Sequence, residues 1–161
     1  MQAGKHFNKP EGFILLGLLV LMIVSGFALA QVGALWKNAV QREREQELLK
    51  VGEVIENAIG RYYNQTPGII KQYPPSLEAL LYDERFTKPR KYLRKIYIDP
   101  ITQREGWGIV EAPTGGIMGV YSLSDKLPYK TKGFRPKYVH FENKKFYGEW
   151  YFAYIPLGSS K

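Results

Sequence analysis

FILLGLLVLMIVSGFALAQVGALW, residues 13–36, runs without a break into KNAVQREREQELLKVGEVIENAIGRYY, residues 37–63, and the fold turns on how these two stretches are read together. The first carries no charge over 24 residues. At 1.5 Å per residue it would extend about 36 Å as a helix, enough to cross a bilayer. The second is charged but holds no Pro, and its apolar residues Leu48, Val51, Ile55, Ala58, Ile59 and Tyr62 recur at steps of three and four. One continuous helix of about 50 residues is therefore expected, apolar in its first half and amphipathic in its second. Asn64-Gln65-Thr66-Pro67-Gly68 supplies turn formers and a Pro that ends it.

On either side of this helix the chain divides simply. Residues 1–12 form a short polar leader with Lys5, His6 and Lys9, which favours a cytoplasmic N-terminus under the positive-inside tendency. Residues 13–36 read as a transmembrane and assembly helix, 37–63 as its amphipathic continuation, and 64–161 as one globular head packed on that continuation. The 161 residues leave room for a single head of about 100 residues. With no Cys, neither disulfides nor thiolate metal sites hold it together, so its stability must come from a core rich in Tyr, Phe and Trp. The helix from Lys37 to Arg61 balances five basic residues against five Glu, so most of the net +8 lies beyond it.

The head reads as a small sheet. Leu77–Leu81 suggests a short helix with Ser76 as its N-cap. Residues 96–98, 106–111, 116–122 and 150–155 are β-branched and aromatic and are bounded by Gly, Pro, Asp and Asn, which reads as strands. Pro113-Thr114-Gly115-Gly116 favours a hairpin between two of them. A half-buried antiparallel sheet needs a cover, and the helix stripe offers one, so the expected class is α+β: a long N-terminal helix packed on a small antiparallel β-sheet.

Glu11-Gly12-Phe13-Ile14-Leu15-Leu16, following a basic leader, resembles the prepilin peptidase site of type IV pilins and type II secretion pseudopilins. Tyr73-Pro74-Pro75-Ser76-Leu77-Glu78-Ala79-Leu80, Asp99-Pro100-Ile101-Thr102 and Trp107-Gly108 resemble loop and sheet segments of pseudopilins related to the major, G-type subunit. The resemblance implies a type IV pilin-like fold and cleavage between Gly12 and Phe13 with N-methylation of Phe13. It implies a filament subunit that supports protein export from the bacterial inner membrane, single-pass, with its head in the periplasm. The partners it implies are other pseudopilins or pilins, the prepilin peptidase, the inner-membrane assembly platform and membrane lipid. One departure stands out: the family places a Glu at the fifth mature position, which pairs with a neighbour's N-terminal ammonium, and here that position is Gly17. A minor subunit is the expectation that follows, the alternative being that Gly17 only permits close helix packing.

Catalytic chemistry is not legible. His6 and His140 are too few and too far apart for a catalytic or zinc constellation, His140 falling in a strand-like segment. The glycines of Gly115–Gly119 lack the strand-to-helix setting of a phosphate loop. No enzymatic activity and no resident cofactor are expected, with one exception. G-type pseudopilins hold Ca²⁺ in a loop after the sheet, and Ser122, Ser124 and Asp125, with Asp99 brought near, offer oxygens there; a plain turn with local backbone bonds is the competing reading. Arg85, Lys88, Arg90, Lys91, Arg94 and Lys95, beside Phe86 and Tyr92, form the densest basic stretch. It is either a solvated loop or, in a minor pilin, a patch for DNA or an anionic surface, nucleic acid being the less expected partner. A secretory signal cut after Ala30, releasing a chain that begins at Gln31, is a third reading.

Overall fold

A computed structural model describes the backbone of residues 11–156 and the side chains of all of these except 11, 12 and 30–35. The fold is α+β, with a long N-terminal helix and a small three-stranded antiparallel sheet. The first ten residues of the leader, with Lys5, His6 and Lys9, and the polar end Ser159-Ser160-Lys161 lie outside the described residues. Helix α1 runs Glu11–Asn64 and stops at the predicted turn, where Gly68 takes a left-handed φ of 82°. The chain falls into two units, Met1–Val40 and Gln41–Lys161.

Of the first unit one expectation is corrected. No helix among the described residues is long and apolar enough to cross a membrane, which overturns the single-pass inner-membrane location with a cytoplasmic N-terminus and a periplasmic head.

In the second unit the predicted stripe is the core. Leu48, Val51, Ile55, Ala58, Ile59 and Tyr62 are all buried. Facing them are Val120 and Phe152 of the sheet and an aromatic cluster in which Phe141 stacks on Trp150 at 5.1 Å and Phe152 meets Phe141 edge-on at 5.1 Å. Gly52 lets this happen: a Cβ there would stand 2.5 Å from the Phe152 ring. Strands β1 (Gly108–Glu111), β2 (Ile117–Tyr121) and β3 (Phe152–Ala153) pair in that order, with Val120 opposite both Ile109 and Phe152. The β1–β2 hairpin turns through Gly115 and Gly116, both at positive φ, as the Gly pair foretells.

Three local readings are corrected. Residues 96–98 form no strand: Ile96 and Ile98 are exposed, and the Tyr97 carbonyl accepts the Trp107 indole N–H at 2.7 Å instead of a neighbouring strand. The helix at 77–81 is a single 3-10 turn, Glu78–Leu80; Ser76 is not its cap but is hydrogen-bonded to the Glu78 side chain, holding that carboxyl below its usual range. His140 sits in a 3-10 segment, Pro136–Phe141, where Pro136 at the start and the compact turns required to pack Tyr138 and Phe141 inward override strand propensity.

Candidate functional site

Within the first unit the processing and assembly residues lie on α1. Gly12 and Phe13 fall in its first turns, and Phe13 is 80% exposed. From Phe13 to Leu29 every large apolar side chain is at least half exposed, and because the consecutive residues Leu18, Leu19, Val20 and Leu21 step around the whole helix, no face is covered among the described residues. A Cβ on Gly17 would have nothing within 4 Å. Helices that are apolar on every side are found buried among other elements, so this surface calls for a partner.

The basic stretch divides when folded. Arg85 belongs to the fold: its guanidinium pairs with Asp83 at 2.8 Å, lies 3.5 Å over the Tyr62 ring, and donates to Thr66 Oγ1 and to the Tyr62 carbonyl near the end of α1. Hydrogen bonding from Arg85 holds the Asp83 carboxyl below its usual range, and Asp83 raises Arg85 in return. Arg90 donates to Gln65 and rests 4.0 Å over Phe86. Lys88, Lys91, Arg94 and Lys95 are exposed, so the stretch offers solvent fewer free cations than its composition implies.

Of the four calcium candidates, three meet. Asp99, fully buried, accepts the Ser122 hydroxyl at 2.7 Å and the Ile101 amide at 2.9 Å, and Ser122 Oγ accepts the Ser124 amide at 3.2 Å. Asp125 is exposed and takes no part in this network. One carboxylate already accepting two bonds, with two hydroxyls, falls short of the six to eight oxygens Ca²⁺ takes. Among the described residues no group of three or more His, Cys, Asp or Glu could hold a metal. The cluster instead joins the loop after residue 98 to the end of β2.

Sequence reasoning missed the carboxylates on the core side of α1. Glu45 is buried and accepts the Tyr147 hydroxyl at 2.8 Å and the backbone amides of Tyr129 and Lys130 at 2.8 and 3.1 Å. Glu56, also buried, accepts the Tyr138 hydroxyl at 2.9 Å and pairs with Lys137 at 3.0 Å. Burial, with these carboxylates alongside, pushes both tyrosine hydroxyls well above their usual range. The signal was available: Glu45 precedes Leu48 by three and Glu56 precedes Ile59 by three, so both fall on the face of the apolar stripe rather than on the solvent face. The chain matches no protein-family model, no curated protein and no solved structure.

Proposed function

We propose that this chain is a type IV pilin-like filament subunit of the kind found in type II secretion pseudopili, assembling through the N-terminal part of α1 to support protein export. The observation that carries the reading is the Phe13–Leu29 surface, apolar on every side and uncovered. Burying it against the equivalent surfaces of sister helices removes it from water at about 25 cal/mol per Å² of apolar area. The Gly12-Phe13 junction supports the reading by its sequence, because cleavage there would begin the mature chain at the first residue of that surface. Gly17, which offers no carboxylate to a neighbour's N-terminus, favours a minor or end position over the repeated body of the filament. The work of such a subunit is assembly, with no covalent chemistry of its own.

The test pairs N-terminal sequencing with photocrosslinking from Leu19 and Ile23. Maturation at Phe13, and adducts whose captured peptide is itself an apolar N-terminal helix of this chain or of a related subunit, are expected. A mature chain that begins at Gln31, or probes at both positions that capture no such helix, would overturn the proposal.

A further inference from the structure

A second surface lies within Gln41–Lys161. Residues 126–137 run Lys-Leu-Pro-Tyr-Lys-Thr-Lys-Gly-Phe-Arg-Pro-Lys, with five basic residues and no acidic one. This strap is fixed along α1: Gln41 donates to the Leu127 carbonyl at 2.9 Å, Glu45 takes the amides of Tyr129 and Lys130, and Tyr138 reaches Glu56. Two adjoining depressions between strap and helix share Gln46, Leu49 and Lys130 and so make one groove. Its floor is apolar, from Leu49 and Phe134, and its rims carry Lys50, Lys130 and Lys132. None of these three lysines has a carboxylate within ion-pair distance among the described residues, whereas Arg135 is paired with Glu53 and Lys137 with Glu56. Glu45, the other acid in the groove, is spent on the strap itself.

We propose that this groove binds an acidic polypeptide segment, with a large apolar side chain of the partner seated over Leu49, beside Phe134, and its carboxylates meeting Lys50, Lys130 and Lys132. Charge complementarity names an acidic partner, and the net +8 of the chain disfavours a second copy of itself in this place. The aromatic rings disfavour nucleic acid. Base stacking needs open ring faces, but Arg42 lies 4.0 Å over Tyr129, Lys130 covers Phe134 at 4.9 Å, and Tyr138 stacks on Phe141 at 5.0 Å. Because the strap is already held by Glu45, little ordering cost remains when a ligand arrives.

The experiment measures fluorescence anisotropy of the full chain with a short labelled peptide of Glu and Asp carrying one central Phe. Saturable binding that weakens with added salt is expected, with a loss of about tenfold for each of Lys50→Glu, Lys132→Glu and the peptide's Phe→Ala. Lys91→Glu, in the other basic stretch, should leave it unchanged. Binding no tighter than that of a Gln/Asn peptide, a single-stranded oligonucleotide that binds more tightly than the acidic peptide, or a Lys91→Glu loss equal to that of Lys50→Glu would each overturn the proposal. Circular dichroism of the variants shows that a loss is not one of folding, since all three lysine side chains are on the surface.

Discussion

Glu45 shows how one residue can set a large part of a small domain. A carboxylate away from water is tolerated only when its lone pairs are used, and here they are, by the Tyr147 hydroxyl and two consecutive backbone amides. Those three donors come from parts of the chain more than eighty residues away, so the bond set closes the segment after β2 onto α1. Glu45→Ala would take the shared acceptor from all three donors, leaving the Tyr129 amide only its 3.4 Å bond to the Tyr147 hydroxyl, and should lower the unfolding free energy by about 3 kcal/mol. Glu45→Gln keeps one acceptor oxygen and should cost about half as much. Urea unfolding of the full chain followed by tyrosine and tryptophan fluorescence measures both, and a Glu45→Ala midpoint equal to the parent's would show that the clasp adds nothing.

At the scale of elements, the end of α1 is held by cations from the loop that follows. Arg85 donates to the Tyr62 carbonyl and Lys71 to the Asn64 carbonyl, so groups left without helical partners are satisfied by charges that also suit the helix dipole, and Arg61 in the last turn donates outward to the Tyr92 carbonyl of that loop. Arg85 is itself held by Asp83, whose carboxyl it keeps below the usual range. A depressed pKa in the folded state means that the stabilisation is complete above the ordinary Asp value of about 4 and is lost as pH falls through the lowered one. The melting temperature should therefore hold level from neutral pH to about 5 and fall below about 4. Asp83→Asn should melt lower at neutral pH and show a shallower acid fall. An acid limb of the same depth in the variant would assign the fall to other carboxylates. The turn at residues 64–68, the apolar stripe of α1 and the Gly-Gly hairpin were legible because each is written in adjacent residues. The strap was not. Residues 126–135 have no regular secondary structure and lead into 3-10 turns at Pro136–Phe141 and Tyr147–Glu149, a path held by distant acceptors such as Glu45 and Glu56 rather than by local propensity. Residues 96–98 erred in the opposite direction, because β-branched composition reports a preference and not the presence of a neighbouring strand.

For the whole molecule, the proposed association would have to overcome a net charge of +8, with the uncovered apolar surface of Phe13–Leu29 as the driving term set against it. If maturation leaves an ammonium on Phe13, that charge enters an apolar helix bundle and is costly without a carboxylate nearby. Gly17 supplies none, and its open surroundings leave room for a longer side chain without displacing any described neighbour. A filament made only of this chain would thus carry one uncompensated cation per subunit, whereas a single copy beside a subunit that does supply the carboxylate carries none. Gly17→Glu should raise the fraction of the chain that sediments in homopolymers about tenfold, and Gly17→Gln, equally long but uncharged, should leave that fraction near the parent's. Equal incorporation of the parent and Gly17→Glu would remove the case for a minor or end position, and an increase with Gly17→Gln as large as with Gly17→Glu would trace the effect to helix propensity instead of to the ammonium.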